Sequence, residues 1–187
     1  DNTNYYKEFA ASVVDTAGNP IANQKISISL DLVSFYKGYF SWIKDYTYSL
    51  VDSIWTWSPT TKWSRDYTTY QNNIASRITT FVECPSNEFP SPVSILSATN
   101  SNLGTQGSFI TDSQGMFSFK VRYGRNYANW LRVNINASTT VSTKDNLTAL
   151  SFTPPVATDD IDQVTGNWRP DQNSPYGTDY STCLNYK

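Results

Sequence analysis

Apolar and polar residues alternate with a period of two along several stretches of this chain, and those stretches predict its strands. After the turn Asp112-Ser113-Gln114-Gly115, the residues Phe117, Phe119, Val121 and Tyr123 alternate with Ser118, Lys120 and Arg122. Leu131, Val133, Ile135 and Ala137 alternate in the same way with Arg132, Asn134 and Asn136. A strand sends successive side chains to opposite faces, so each run has one apolar face and belongs to an antiparallel sheet wetted on one side. An aromatic corner at 123–130 joins the two. Residues 25–32 carry the cleanest alternation, with Ile26, Ile28, Leu30 and Leu32 set against Lys25, Ser27, Ser29 and Asp31.

Turn chemistry divides the remainder. Residues 1–8 are polar and are expected as a flexible arm, with a first strand at 9–15 ending in Asp15-Thr16-Ala17-Gly18-Asn19-Pro20. A strand at 78–84 runs into the proline-rich segment 85–92. Gly104 and Gly107 mark a turn before Phe109 and Ile110, and a last strand at 147–152 stops at Pro154-Pro155. Residues 154–187 read as an irregular tail, ordered by a disulfide or by packing of Trp168 and Tyr176. The segment 35–78 mixes aromatic alternation with helix-compatible spacing. It predicts one long hairpin of 39–48 and 67–80 with a polar tip near 58–64. About seven or eight strands separated by turn clusters, with no solenoid repeat, predict a single all-β domain over 1–187, an immunoglobulin-like Greek-key β-sandwich.

Composition sharpens this picture. Only 16 % of residues are charged, yet the chain has 13 Tyr, 9 Phe and 6 Trp, which argues for a packed or surface-active β protein against a disordered one. The net charge of -2 and the lack of a Lys/Arg cluster leave no electrostatic footprint for nucleic acid or an anionic membrane. No apolar run approaches the ~20 residues of a spanning helix. The chain opens at Asp1 without a Met, which suits a processed mature protein or an excised fragment. Cys84 and Cys183 are either paired or two free thiols. Pairing would pin the tail to the middle of the domain and is worth on the order of 4 to 5 kcal/mol. The polar, Tyr-rich setting of Cys183 favours the disulfide, and with it an extracytoplasmic, oxidising compartment.

With no His and two Cys, the inventory excludes most zinc sites, the Ser-His-Asp triad and the Cys-His pair. Asp159-Asp160-Ile161-Asp162 is the densest acidic run, but it lacks the alternating Asp loop of a calcium site and reads as a solvated turn. Gly104 and Gly107 lack the Lys-Ser/Thr of a phosphate loop. Asn136-Ala137-Ser138 and Asn146-Leu147-Thr148 match the glycosylation sequon but read as ordinary strand and turn residues. No metal, cofactor or catalytic group is expected.

Several motifs, in order, resemble the bacterial immunoglobulin-like domains of the invasin/intimin type (Big-1), in a C-terminal variant found in large bacterial surface or secreted proteins. They are Val14-Asp15 with Gly18-Asn19-Pro20 and Asn23-Gln24, then Tyr36-Lys37-Gly38-Tyr39, then Thr111-Asp112 with Gly115 and Tyr123. Tyr127-Ala128-Asn129-Trp130 and Asn173-Ser174-Pro175-Tyr176-Gly177, followed by Cys183, complete the set. The resemblance implies an immunoglobulin-like sandwich, a Cys84–Cys183 bridge and no catalysis. The chain departs from it at 85–92, where Glu88 is the lone acidic residue of a loop that is Asp/Asn-rich and suited to calcium in the family variant. It departs again at about 41–76, an aromatic insertion beyond the plain domain.

That insertion and its flank hold the candidate site residues Tyr39, Trp42, Tyr46, Tyr48, Trp55, Trp57, Trp63, Tyr67 and Tyr70. Three readings compete: a second core packed on the sandwich, a protein–protein interface, and a glycan-binding platform. An extended segment at 4–14 could also add to the edge of a neighbouring sandwich. The expected function is a non-enzymatic structural or adhesive module of the bacterial surface, as subunit of an extracellular filament. The expected partner is a protein, by self-association or within a surface assembly, without nucleic acid or membrane insertion. The alternative is a carbohydrate-binding adhesin tip.

Overall fold

The computed structural model describes residues 3–51, 54–71, 74–86, 91–141 and 143–184, and only the strand backbones over 44–51, 54–61, 68–71 and 74–76. The described chain is mostly β-strand in antiparallel sheets, with two single-turn 3-10 helices at Arg125–Tyr127 and Thr158–Asp160. Its internal contacts divide it into two compact units. One is Asp1–Phe35 with Pro85–Pro155, the other Tyr36–Cys84 with Val156–Lys187.

The first unit is sandwich-like. Strands β1 (Asn4–Ser12), β11 (Met116–Gly124), β8 (Val93–Leu96) and β9 (Asn102–Gly104) form one sheet in the order β1-β11-β8-β9. The other runs β10 (Gln106–Ile110), β2 (Lys25–Gly38), β12 (Leu131–Val141), β13 (Lys144–Phe152). The corner at 124–130 carries the chain from β11 in one sheet to β12 in the other. Inward positions of both sheets build the core. Phe119 stacks on Phe9 and meets Phe109, while Phe152 meets Phe9 edge-on at 5.2 Å. Val121, Val133, Leu131 and Trp130 are fully buried. Each such side chain contributes roughly 1.5–3 kcal/mol by leaving water.

Turns hold the strand ends. Asp112 accepts the backbone N–H groups of Gln114 and Met116, and Gly115, at φ +72, leaves no room for a Cβ, which would lie 2.7 Å from the Val13 carbonyl. Thr111, buried, donates to the Ile21 carbonyl and accepts from the Gln24 amide.

Three expectations change. Residues 4–8 are not a flexible arm: β1 begins at Asn4 and pairs with β11 of its own chain along its full length. The long hairpin predicted from 39–48 and 67–80 is replaced by two shorter ones. β3 (Ser41–Val51) pairs with β4 (Ile54–Ser64), and β5 (Asp66–Gln71) with β6 (Ile74–Thr79), so that 58–64 is strand and not tip. The strand expected at 78–84 is split at Thr80 between β6 and β7 (Phe81–Pro85), the latter pairing with β2. Strand β8 follows 85–92. Glu88, the carboxylate weighed there, lies outside the described residues.

Candidate interaction site

The site is built from the hairpins of the second unit and the irregular tail that folds around their roots. In β3–β4 the ladder pairs Trp42 with Trp63, Tyr46 with Pro59, Tyr48 with Trp57 and Leu50 with Trp55. These positions share one parity of the ladder. The other parity carries Asp45, Thr47 and Ser49 opposite Thr60, Ser58 and Thr56. Because side chains alternate across a strand, the register gathers the aromatic positions on one face of the ribbon. The side chains of Tyr46, Tyr48, Trp55, Trp57 and Tyr70 lie outside the described residues; Tyr70 is opposite Ala75 in the β5–β6 ladder.

At the root the side chains are described and packed. Trp42 and Trp63 meet edge-to-face at 5.5 Å. The Trp63 indole N–H donates to the Asp162 carbonyl at 2.9 Å, and a Cβ on Gly166 would fall 2.1 Å from the Trp42 ring, so glycine, at φ +71, fits against the indole. Phe40 is flanked by two guanidinium groups, Arg169 at 3.5 Å and Arg65 at 5.3 Å, and Arg65 also lies over Phe81 and Tyr36. Burial pulls the Arg65 guanidinium below its usual range, and Arg169 beside it acts in the same direction. Arg169 is itself held in a bidentate pair with Asp171, at 2.8 and 2.6 Å, with both side chains almost fully buried.

Tyr39 meets Tyr180 edge-on at 5.9 Å, and burial, followed by the neighbouring phenols of Tyr180 and Tyr67, raises its hydroxyl above the usual range. Tyr39 and Tyr67 are half-buried, as are Trp42 and Trp63. The tail is secured by the disulfide expected for it and by a buried lysine. Cys84 and Cys183 form a disulfide with a Cα–Cα distance of 5.5 Å, and the buried Lys37 ammonium donates to the Thr182 and Leu184 carbonyls on either side of Cys183. Tyr176 is buried as expected, and Ser174 donates to the Tyr36 carbonyl. Trp168 is not: it is 51 % exposed.

Asp162, the last residue of the acidic run, is absorbed by its own turn, while Asp159 is exposed. The Asp162 carboxylate accepts the backbone N–H groups of Val164, Thr165 and Asn167 and the Thr165 hydroxyl, and these bonds hold it well below the usual carboxylate range. Among the described residues no three His, Cys, Asp or Glu side chains come together as a metal site, and no helix is long and apolar enough to cross a membrane.

Sequence reasoning located the aromatic residues but missed Arg65, Arg169, Asp171 and Lys37. The Arg169–Asp171 pair is local in the sequence, but its burial, and the approach of Arg65 and Lys37 to partners distant in the chain, leave no local pattern. The ladder thus sets the aromatic positions at one parity of the ribbon, and cations and a disulfide brace its root. The chain matches no protein-family model, no curated protein and no solved structure.

Proposed function

We propose that this chain is a non-enzymatic structural or adhesive module of a bacterial surface, and that it self-associates through protein contacts into an extracellular filament. The observation that carries this reading is the β3–β4 ribbon. It is a two-stranded sheet whose described strands pair with each other alone, with its Trp and Tyr positions in register. A lone hairpin is marginally stable in water, and an aromatic face on one is suited to being covered. The disulfide supports an oxidising, extracytoplasmic location. The paired antiparallel sheets of the first unit support reading it as an immunoglobulin-like Greek-key sandwich of the invasin/intimin type.

Sedimentation velocity and negative-stain electron microscopy of the oxidised chain test the proposal. Concentration-dependent assembly is expected, weakened about tenfold or more by Trp55→Ala or Trp57→Ala, as for anchor residues worth at least 1.4 kcal/mol. A chain that stays monomeric at every concentration and binds an oligosaccharide through the same tryptophans would point to the adhesin-tip alternative.

A further inference from the structure

The first unit contains a cavity of about 560 Å³ between the end of β1 and the β12–β13 hairpin. Its lining is mostly apolar, including Val13, Val14, Ile26, Phe117, Val141 and Leu147. The size lies within the range of ligand pockets, roughly 300–1,000 Å³. Both bounding strands, β1 and β13, are at sheet edges, and Leu147 is 77 % exposed at the rim. Two charged residues share the lining. The Asp15 carboxylate is engaged by Ala17 and Asn19 of its own turn, whereas the exposed Lys144 ammonium has no partner among the described residues.

The second unit carries an exposed apolar loop with an acidic residue beside it. The loop 162–168 displays Val164, 84 % exposed, and Trp168, although exposed rings of this size ordinarily find cover. Three contacts hold the loop in place. The Asp162 carboxylate ties down its amides, the Asp162 N–H donates to the Trp168 carbonyl at 2.8 Å, and Gly166 lies on the Trp42 ring. A displayed ring on a fixed loop loses little entropy when it is buried by a partner. The exposed Asp159, in the 3-10 turn Thr158–Asp160, precedes the loop and gives the projection an acidic flank.

We propose that the 162–168 loop of one copy seats Trp168 and Val164 in the cavity of the first unit of a second copy, with Asp159 opposite Lys144. Projection and socket are different surfaces of the same chain, so the contact either closes a two-fold dimer, in which each copy fills the other's socket, or propagates head to tail. This inference rests on the self-association reading above and gives it a second surface, separate from the tryptophans of the ribbon.

The test uses the full oxidised chain in sedimentation velocity. Wild-type protein is expected to assemble as concentration rises. Trp168→Ala removes the projection, Leu147→Asp spoils the socket, and each is expected to raise the concentration needed for assembly about tenfold or more. Mixed together, the two variants should form a one-to-one complex and nothing larger, because the Leu147→Asp copy keeps its projection and the Trp168→Ala copy its socket. Lys144→Glu, an exposed change that spares the fold, should weaken assembly, and adding Asp159→Lys in the same chain should restore it. If wild-type protein assembles and these variants assemble equally well, the interface is wrong while self-association stands. If wild-type protein is monomeric throughout, both fall.

Discussion

Tyr123 shows how one buried hydroxyl links packing to pH. Its ring is 3 % exposed beside Tyr5, and its O–H donates to the Pro155 carbonyl at 2.7 Å. Burial, with the Tyr5 phenol adding to it, pushes the Tyr123 hydroxyl up to about 12 from its ordinary 10.0. The folded state therefore holds this proton more tightly than the unfolded chain. The resulting stabilisation is complete below about pH 10 and is lost as pH rises through about 12. Tyr123→Phe should flatten the alkaline limb of a stability–pH profile measured by urea unfolding, while costing about 1 kcal/mol at neutral pH for the lost hydrogen bond. Asp171 makes a different kind of demand. Removing its carboxylate leaves the Arg169 guanidinium buried and uncompensated, so Asp171→Ala should cost about 3–5 kcal/mol in the same measurement. The pair itself is better regarded as a positioning device for Phe40 and the tail than as a source of net stability.

Among the elements, β2, β11 and β12 were legible because each is half-buried and alternates. The alternation in β2 was traced only to Leu32, and the reason is a register shift. Leu32 pairs with Val133 but Ser34 with Arg132, leaving Val33 as an extra residue, after which 34–38 are all buried and the period of two disappears. The start of β1 was missed because Lys7 and Glu8 interrupt its apolar pattern. Lys7 occupies the inward parity, opposite the fully buried Val121, on a strand at the edge of its sheet. The exposed charge of Lys7 on this edge strand discourages a second molecule from extending the sheet. Lys7→Val is accordingly expected to increase light scattering and thioflavin-positive aggregation on mild heating, with little change in the unfolding midpoint. The two aromatic hairpins were read as one because Tyr and Trp suit any strand and carry no register of their own; only the pairing distinguishes 58–64 as strand. The site was legible to the extent that it is aromatic. Its cationic bracing was not, because Arg65 and Arg169 are far apart in the chain and acquire meaning only when both approach Phe40.

For the molecule as a whole, the chain passes from the first unit to the second at Phe35/Tyr36, back at Cys84/Pro85, and forward again at Pro155/Val156. The two segments of the second unit are thus joined through the first by covalent chain and to each other by the Cys84–Cys183 bond, 99 residues apart. Cross-linking over such a span restricts the unfolded state by on the order of 4 to 5 kcal/mol. Reduction should therefore lower amide-exchange protection in the second unit, across β5–β7 and the tail, well before that of β11 and β12. Equal loss in both units would show that they unfold as one.

That threading has a further consequence for the order of events during synthesis. The ribbon and its tryptophans are synthesised before Arg169, Asp171 and Cys183, which brace and lock their root. Through that interval the hairpin roots await the chain that covers them, the condition in which sticky nascent segments recruit chaperones or one another. Oxidation of the Cys84 and Cys183 thiols to the disulfide, with a disulfide or quinone oxidant of the compartment taking up the two electrons, then locks the root, and a pause before it is where premature assembly would be decided.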